Sequence, residues 1–194
     1  EGDWSQAAFW TVGGALGAGI TASGVDFASL QGDKAVVEIM QRMGANIVKN
    51  ADSVTVNSGA MQATVIDASN CPDIIPVLTV LAAVSEGTTK IINAGRLRIK
   101  ECDRLAAMTS ELNKMGAAIT EEAEGLTIIG KPDGLRGGVE VDAWNDHRIA
   151  MSLAIAAQCC AEPITLTGAG SVSKSYPDFW EDYQSVGGKI EVLA

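Results

Sequence analysis

The sequence lacks a hydrophobic run long enough to span a lipid bilayer. Its longest apolar stretches cover residues 7–20, 74–84 and 149–161, whereas a transmembrane helix needs about 18–20 residues. Histidine occurs once and cysteine four times, with no C-x-x-C pair and no cluster that has the spacing of metal ligands. We therefore expect no structural zinc site, and we expect buried, reduced thiols, as in a cytoplasmic protein.

Positive charge is also scarce. The sequence has 14 Lys and Arg against 24 Asp and Glu, which gives a net charge of −10. A surface with this excess of negative charge argues against nucleic acid or an anionic membrane as the main partner.

Apolar residues are abundant enough to build a folded core. The chain has 194 residues, of which 47% are hydrophobic and 20% charged, and this composition excludes a disordered tail, a collagen-like repeat and a coiled coil. It begins with Glu1-Gly2-Asp3-Trp4, with neither Met nor a leader, so we expect one domain taken from a longer chain.

Three similar segments follow one another at a period of about 70 residues. Met43-Gly44-Ala45-Asn46-Ile47 recurs as Met115-Gly116-Ala117-Ala118-Ile119 and, more weakly, as Val186-Gly187-Gly188-Lys189-Ile190. Acidic residues open an apolar run at Asp3, Asp73 and Asp146, and loop lysines follow at Lys34, Lys100 and Lys174. The sequence therefore predicts three copies of one unit, at about 1–70, 71–143 and 144–194, the last of them incomplete.

Each unit is predicted to run helix–strand–helix–strand–strand. The first helix is apolar on nearly all sides, which predicts burial all round, and its copies cover residues 7–17, 74–84 and 149–160. The second helix is amphipathic and ends before a glycine that can cap it. In the second copy its apolar residues are Leu105, Met108, Leu112 and Met115, with Arg104, Glu111 and Lys114 between them.

The predicted strands alternate apolar and polar residues. A single strand is predicted at residues 164–166, and strand pairs join residues 53–57 to 64–66 and 126–129 to 139–141. Because the continuous apolar runs are helices and not strands, the usual α/β layering is inverted. We predict an inside-out α/β domain, with buried helices around a pseudo-threefold axis, one-sided sheets outside, and a third unit completed by a strand from elsewhere.

A local positive site stands out in this acidic chain. Arg96, Arg98, Lys100 and Arg104 fall within nine residues, and Lys100, Glu101 and Arg104 are predicted to share one helical turn. A helix N-terminus at this point would add to the attraction for an anion. The alternative is a solvated charge run that opens a surface helix.

Polar residues also stand before two of the buried helices. Asp146, His147 and Arg148 precede one of them, where Asp146 is either a helix cap or a site residue, and Asp73 precedes another. Around a pseudo-threefold axis, equivalent loops gather at one end, which would bring these residues together with Lys100 and Lys174. Cations with carboxylates fit an anionic substrate handled by acid–base chemistry.

Six motifs that span the chain make it resemble a known family. They are EGDWSQAA from Glu1, QGD from Gln31, CPD from Cys71, RIKECDR from Arg98, NDHRIAM from Asn145 and KSYPDF from Lys174. In this order they resemble the C-terminal domain of the 5-enolpyruvylshikimate-3-phosphate synthases, whose fold has two inside-out α/β domains of three units each.

The resemblance implies transfer of the enolpyruvyl group of phosphoenolpyruvate to the 5-hydroxyl of shikimate 3-phosphate, with release of phosphate. The family does this by addition and elimination through a tetrahedral intermediate, with no metal or organic cofactor. By motif, Asp73 binds the shikimate hydroxyls and accepts a proton, Lys100 contacts the target hydroxyl and the incoming group, and Glu101 is the general acid and base at the methylene carbon.

The donor site is implied in the same way. The resemblance assigns Arg104, Arg148 and Lys174 to the carboxylate and phosphate of phosphoenolpyruvate, with His147 supporting that site. Many family members have Asn four residues before the lysine, where this chain has Arg96, so that contact with shikimate 3-phosphate is not carried over.

The resemblance also implies a partner. The family's N-terminal domain, which supplies further residues for the shikimate phosphate, is absent from this sequence, so residues 1–194 are expected to form the C-terminal domain and to be inactive alone. Two alternatives remain: half of a UDP-N-acetylglucosamine enolpyruvyl transferase, or a non-catalytic binding module built from the same repeat.

Overall fold

A computed structural model of the chain describes residues 2–193. These residues contain six α-helices: α1 (Trp4–Leu16), α2 (Ala35–Arg42), α3 (Ile75–Ala83), α4 (Arg104–Lys114), α5 (His147–Ala157) and α6 (Phe179–Ser185). They also contain eleven strands: β1 (Ile20–Ser23), β2 (Asn46–Lys49), β3 (Ser53–Asn57), β4 (Val65–Asp67), β5 (Thr88–Ile92), β6 (Ala118–Glu122), β7 (Gly125–Ile129), β8 (Leu135–Gly137), β9 (Glu140–Asp142), β10 (Cys160–Glu162) and β11 (Thr165–Thr167). Short 3₁₀ helices lie at Gly32–Lys34, Pro72–Ile74, Gly95–Ile99 and Ala169–Lys174.

Helices α1, α3 and α5 form the centre of the molecule and pack against one another. Every residue of α3 is buried, and α5 is buried from His147 to Ala156. A helix that is apolar on all sides is shielded from water only when other elements pack against every side of it. The three predicted buried helices are therefore confirmed, with bounds that differ from the prediction by up to a few residues.

Helices α2, α4 and α6 occupy the positions predicted for the amphipathic helices of the three units. The glycine after each of them adopts the left-handed conformation predicted for a helix cap, with φ of +93° at Gly44, +104° at Gly116 and +99° at Gly187. The prediction for α4 was wrong in one respect, because Arg104 and Glu111 are not on its polar face. Both residues are 1% exposed, and polar or charged partners inside the protein compensate for their burial.

The second unit carries a four-stranded sheet in the order β4-β5-β7-β6. Strand β4 is parallel to β5, whereas β7 is antiparallel to both β5 and β6. Strand β4 follows the second helix of the first predicted unit, so this sheet joins the first and second units, whereas the sheet β1-β3-β2 lies within the first. The predicted pairing of residues 53–57 with 64–66 was wrong, because β3 pairs with β1 and β2.

Two parallel strand pairs join the second and third predicted units. Strand β9, from the end of the second unit, runs parallel to β11 of the third, so the predicted pairing of residues 126–129 with 139–141 was also wrong. Strands β8 and β10 form a short parallel pair. In β3 and β5 the buried side chains alternate with more exposed ones. The sheets thus cover the central helices with one face, as predicted.

The remaining expectations concern the thiols and membrane association. Cys71, Cys102, Cys159 and Cys160 are all free, but only Cys71 is fully buried, so the prediction of buried thiols was right for one of the four. Within residues 2–193, each helix is either too short or insufficiently apolar to cross a bilayer.

The close approach of β5 to β7 gives a stability test. A Cβ at Gly125 would overlap the carbonyl oxygen of Ile91, whereas a Cβ at Gly170 would meet no atom within 4 Å. Gly125→Ala is expected to lower the free energy of unfolding by about 1–3 kcal/mol, the usual cost of overpacking. Urea denaturation measures this, with Gly170→Ala as the matched control. Equal stability of the two variants would contradict the β5–β7 packing.

Candidate active site

Asp73 is the point where three of the predicted site residues converge. It lies in the 3₁₀ turn Pro72–Ile74 before α3 and, unlike Asp3 and Asp146, it does not cap its helix. Its Oδ1 lies 3.1 Å from Lys100 Nζ and 2.8 Å from Arg104 Nη1, and its Oδ2 lies 3.6 Å from Arg148 Nη2. Burial opposes ionisation, but Arg148, Lys100 and Arg104 outweigh it and lower the pKa of Asp73.

Arg104 joins three carboxylates at the start of α4. Besides Asp73, it donates from Nε to Asp146 Oδ2 at 2.8 Å and from Nη2 to Glu101 Oε2 at 2.6 Å. Burial alone would lower the pKa of Arg104, but its bonds to Asp146 raise it. The guanidinium is therefore charged and engaged by protein groups, so its predicted role in holding the donor substrate stays a prediction.

Asp146 links this cluster to α5. It is fully buried, accepts the backbone N–H of Arg148 at 2.8 Å, and so caps the helix while it also binds Arg104. Burial would raise the pKa of Asp146, but the hydrogen bond from Arg104 outweighs it, so the pKa is lowered. The two interpretations of Asp146, helix cap or site residue, are thus both true of its geometry.

Lys100, Glu101 and Arg104 do not share a helical turn, so that prediction was wrong. Lys100 follows the 3₁₀ helix Gly95–Ile99, and α4 begins at Arg104 after its cap Asp103. The bend between the two helices is what brings Lys100 and Arg104 to the same carboxylate of Asp73. Glu101 is 42% exposed at this bend, which leaves its carboxylate accessible from solvent.

The positive run predicted from Arg96 to Arg104 is divided in the structure. Arg96 is exposed, and Arg98 binds Asp103 at 2.8 Å and Glu121 at 2.7 Å, away from Asp73. Only Lys100 and Arg104 of the run reach the site, and both meet carboxylates there. The cluster is therefore a network of alternating charges and not the open positive site that the sequence suggested.

His147 lies beside this network without a hydrogen bond at Nδ1. The buried Nδ1 is 4.0 Å from Asp146 Oδ1. Burial and the nearby charge of Arg148 lower the pKa of His147, although Asp146 and Glu101 act in the opposite direction. The imidazole is therefore neutral at pH 7 and can support a neighbouring group without adding a charge.

This histidine makes the stability of the chain depend on pH. A pKa that is lower in the folded than in the unfolded chain means that the unfolded chain binds more protons below about pH 6.5, so stability falls as the pH falls through that value. His147 is the only histidine of the sequence. Between pH 7.5 and 5.5, the free energy of unfolding is expected to decrease in the unaltered chain and to change less in His147→Gln. Equal slopes in urea denaturation would contradict the buried neutral imidazole.

Lys174 reaches the site by a different route. It ends the 3₁₀ helix Ala169–Lys174, and its Nζ donates to the backbone oxygen of Asn145 at 2.5 Å and to Asn145 Oδ1 at 2.8 Å. The equivalent Lys34 instead donates to the carbonyls of Phe27 and Ser29 in its own loop. Of the three repeated lysines, Lys100 thus contacts Asp73, Lys174 contacts the residue before Asp146, and Lys34 stays within its own loop.

Sequence reasoning missed Asp33 as a neighbour of this site. Its carboxylate accepts the hydroxyl of Ser5, and its pKa is raised mainly by burial, with further contributions from the charge of Asp73. The motif that begins at Gln31 was the available signal. Within the described part of the chain, no three His, Cys, Asp or Glu side chains are placed to hold a metal ion. The arrangement offers cations for anions and carboxylates for proton transfer.

Comparisons with known proteins identify the family of this chain. The family model described as EPSP synthase (3-phosphoshikimate 1-carboxyvinyltransferase) matches residues 1–183. A 3-phosphoshikimate 1-carboxyvinyltransferase of Clostridium kluyveri is 55% identical over 191 residues, which are 98% of this chain and 44% of the relative. One from Clostridium novyi is 54% identical over 98% of this chain and 43% of the relative. The chain thus spans less than half the length of these curated relatives.

Solved structures confirm the inside-out fold class. EPSP synthase from Acinetobacter baumannii superposes with a TM-score of 0.89 at 31% identity, over 98% of this chain and 47% of that one. The enolpyruvyl transferase NikO from Streptomyces tendae, at 24% identity and a TM-score of 0.80, shares the fold. The chain therefore belongs to the EPSP synthase (3-phosphoshikimate 1-carboxyvinyltransferase) family.

Proposed function

We propose that this chain forms half of the active site of an enzyme that transfers the enolpyruvyl group of phosphoenolpyruvate to the 5-hydroxyl of shikimate 3-phosphate. The observation that carries the proposal is the convergence of Lys100, Arg104 and Arg148 on Asp73 at the head of the buried helices. Family membership supplies the reaction, because the curated relatives are named for it.

The reaction forms one C–O bond and breaks another. The 5-hydroxyl oxygen attacks C2 of phosphoenolpyruvate and loses its proton to Asp73, while Glu101 protonates the methylene carbon. In the second step the C2–O bond to phosphate breaks, the leaving phosphate takes the proton held by Asp73, and the proton added to carbon returns to Glu101. The exposed carboxylate of Glu101 is suited to meet a substrate atom, because 42% of its side chain faces solvent.

Substrate binding would change the basicity of Asp73. In the structure three cations lower its pKa, which keeps it ionised but makes it a weak base. Anionic substrates would draw Lys100 and Arg148 toward their own phosphate and carboxylate groups, and the pKa of Asp73 would then rise toward the value that proton transfer needs. The same cations gather two reactants that repel each other.

The donor side of the site uses Arg148 and Lys174. Arg148 lies 3.6 Å from Asp73, and Lys174 is held by the neutral Asn145, so both can exchange these contacts for an anion more readily than Arg104 can. Arg104 holds Asp73, Glu101 and Asp146 in place and adds its charge to the donor site, and neutral His147 supports it.

The site needs a second half. We propose that residues 1–194 act as the C-terminal domain of a cytoplasmic two-domain enzyme, in three units at about 1–70, 71–143 and 144–194. The N-terminal domain would then supply further contacts to shikimate 3-phosphate. Curated relatives more than twice as long as this chain support that division.

The test combines this chain with the separately produced N-terminal half of the Clostridium kluyveri relative. The pair is expected to release phosphate from phosphoenolpyruvate in the presence of shikimate 3-phosphate, whereas each half alone is not. Lys100→Ala is expected to reduce the rate at least about 100-fold, the scale of losing a group that stabilises developing charge. The matched control is Lys90→Ala, which removes an exposed lysine of β5. A well-folded pair without activity would favour a binding module.

A further inference from the structure

The backbone directly before Asp146 adopts an unusual conformation. Trp144 and Asn145 have φ of +52° and +54°, a left-handed conformation that costs a non-glycine residue free energy and persists only where neighbours enforce it. Asn145 is the residue that receives Lys174, and Asp146 caps the helix that carries Arg148. The shape of this two-residue turn therefore sets the positions of both cations of the donor side.

Glu111 of α4 holds this turn from inside the protein. Its Oε1 accepts the indole N–H of Trp144 at 3.0 Å, and its Oε2 accepts the backbone N–H of Asp142 at 3.0 Å. Glu111 is 1% exposed, so these bonds are shielded from water. Burial of a charge is costly unless the charge has partners. A buried carboxylate at this position therefore does not stabilise α4 by itself.

The charge of Glu111 is maintained by its surroundings. Burial would raise its pKa, but hydrogen bonds from Lys114, Trp144 and the backbone of Asp142 outweigh it and lower the pKa. Lys114, which is 46% exposed, donates to Glu111 Oε2 at 2.7 Å, and the Ser110 hydroxyl donates to Oε1 at 3.1 Å. The ionised carboxylate is thus available to the turn as a charged acceptor, which binds more strongly than a neutral one.

Helix α4 therefore contacts the turn region at two points. Arg104 at its first residue binds Asp146 after the turn, and Glu111 two helical turns later binds the ring of Trp144 within it. Asp142 contributes from the strand before the turn, where its carboxylate accepts the backbone N–H of Trp144 and the hydroxyl of Thr167. With both ends fixed, the left-handed pair cannot relax without breaking buried hydrogen bonds.

We propose that Glu111 is a positioning residue of the donor site, which acts through the Trp144–Asn145 turn on Lys174. The expected effect on KM rests on the proposed function, whereas the expected effect on the shape of the turn rests on the geometry alone. Loss of the Glu111–Trp144 bond lets the turn relax, and Asn145 then no longer presents two oxygens to Lys174.

The kinetic test uses the active pair of halves with Glu111→Gln or Trp144→Phe in this chain. Each is expected to raise KM for phosphoenolpyruvate about tenfold, or about 1.4 kcal/mol, with little change in kcat, since a hydrogen bond to a charged group is on that scale. Lys114→Ala is the matched control, because it removes a partner of Glu111 outside the turn and leaves the carboxylate and its bonds to Trp144 and Asp142 in place. Glu111→Gln in a Lys174→Met background is expected to add no further increase in KM.

Two kinetic results would overturn the proposal. One is an unchanged KM in a Glu111→Gln pair that melts at the temperature of the unaltered pair. The other is an equal increase in KM with and without Lys174, because Glu111 would then not act through that lysine.

A second measurement separates this proposal from the proposed function. In ¹H–¹⁵N NMR spectra of the pair, Glu111→Gln is expected to shift the indole resonance of Trp144 and the backbone resonances of Asn145 and Lys174, whereas Lys114→Ala leaves the last two in place. If the unaltered pair proves inactive, the function is wrong and these resonances decide the positioning role. Unshifted Asn145 and Lys174 would contradict it.

Discussion

Replacement of Asp73 by asparagine is expected to lower kcat of the reconstituted pair at least about 100-fold, the contribution typical of a positioned acid or base. The amide keeps the size of the side chain and still offers an oxygen to Arg104, but it cannot take the proton of the attacking hydroxyl. It also removes the charge on which Lys100, Arg104 and Arg148 converge. Phosphate release under saturating substrates measures the effect.

The control for this variant is the same chemical change at the other end of the helices. Asp133 is exposed in a loop beside the C-terminal ends of α1, α3 and α5, and Asp133→Asn is expected to leave kcat within about twofold. If Asp73→Asn retained full kcat in a folded pair, Asp73 would not be the base, and the convergence of cations on it would have only a structural role.

The second large effect is on stability. Asp146→Ala is expected to lower the free energy of unfolding by about 3–5 kcal/mol, because it removes a fully buried partner from Arg104 and leaves a buried charge with fewer compensating groups. That loss is a large part of the total stability of a typical domain. Urea denaturation at pH 7 gives the value for the chain.

An exposed ion pair supplies the comparison for Asp146. The side chains of Arg98 and Glu121 are 27% and 33% exposed, and Glu121→Ala is expected to cost less than about 1 kcal/mol, as exposed pairs do. A cost below 1 kcal/mol for Asp146→Ala as well would show that Arg104 finds sufficient compensation in Asp73 and Glu101, and that Asp146 is not the central support of the network.

The buried helices could be predicted from the sequence, whereas the strand pairing could not. Helices α1, α3 and α5 are apolar on all sides and recur at one period, so both their burial and their equivalence are visible in the residues. Short strands such as β4 carry too few residues to identify a partner. The partner of β4 is β5 of the next unit, and that choice depends on how consecutive units pack.

The convergence on Asp73 followed from the repeat, since equivalent loops gather at one end of such a domain. The binding of Arg104 to three carboxylates could not be predicted from the repeat, because it depends on side-chain rotamers and on the bend after Lys100. The position of Glu111 in the sequence indicated its burial, but the prediction placed it on the polar face. Glu111 lies three residues after Met108, on the buried side of α4. The left-handed turn had only a weak signal in Asn145, because asparagine adopts this conformation more often than other non-glycine residues, and it had no signal in Trp144.

The choice of acceptor tests the proposed transfer of an enolpyruvyl group to shikimate 3-phosphate. The reconstituted pair is supplied with phosphoenolpyruvate and either shikimate 3-phosphate or UDP-N-acetylglucosamine, and both phosphate and the mass of the product are measured. We predict that phosphate and an enolpyruvyl product form when shikimate 3-phosphate is the acceptor, and that neither forms when UDP-N-acetylglucosamine is the acceptor. Formation of product from UDP-N-acetylglucosamine would contradict the proposed transfer. So would a folded pair that forms no product with either acceptor.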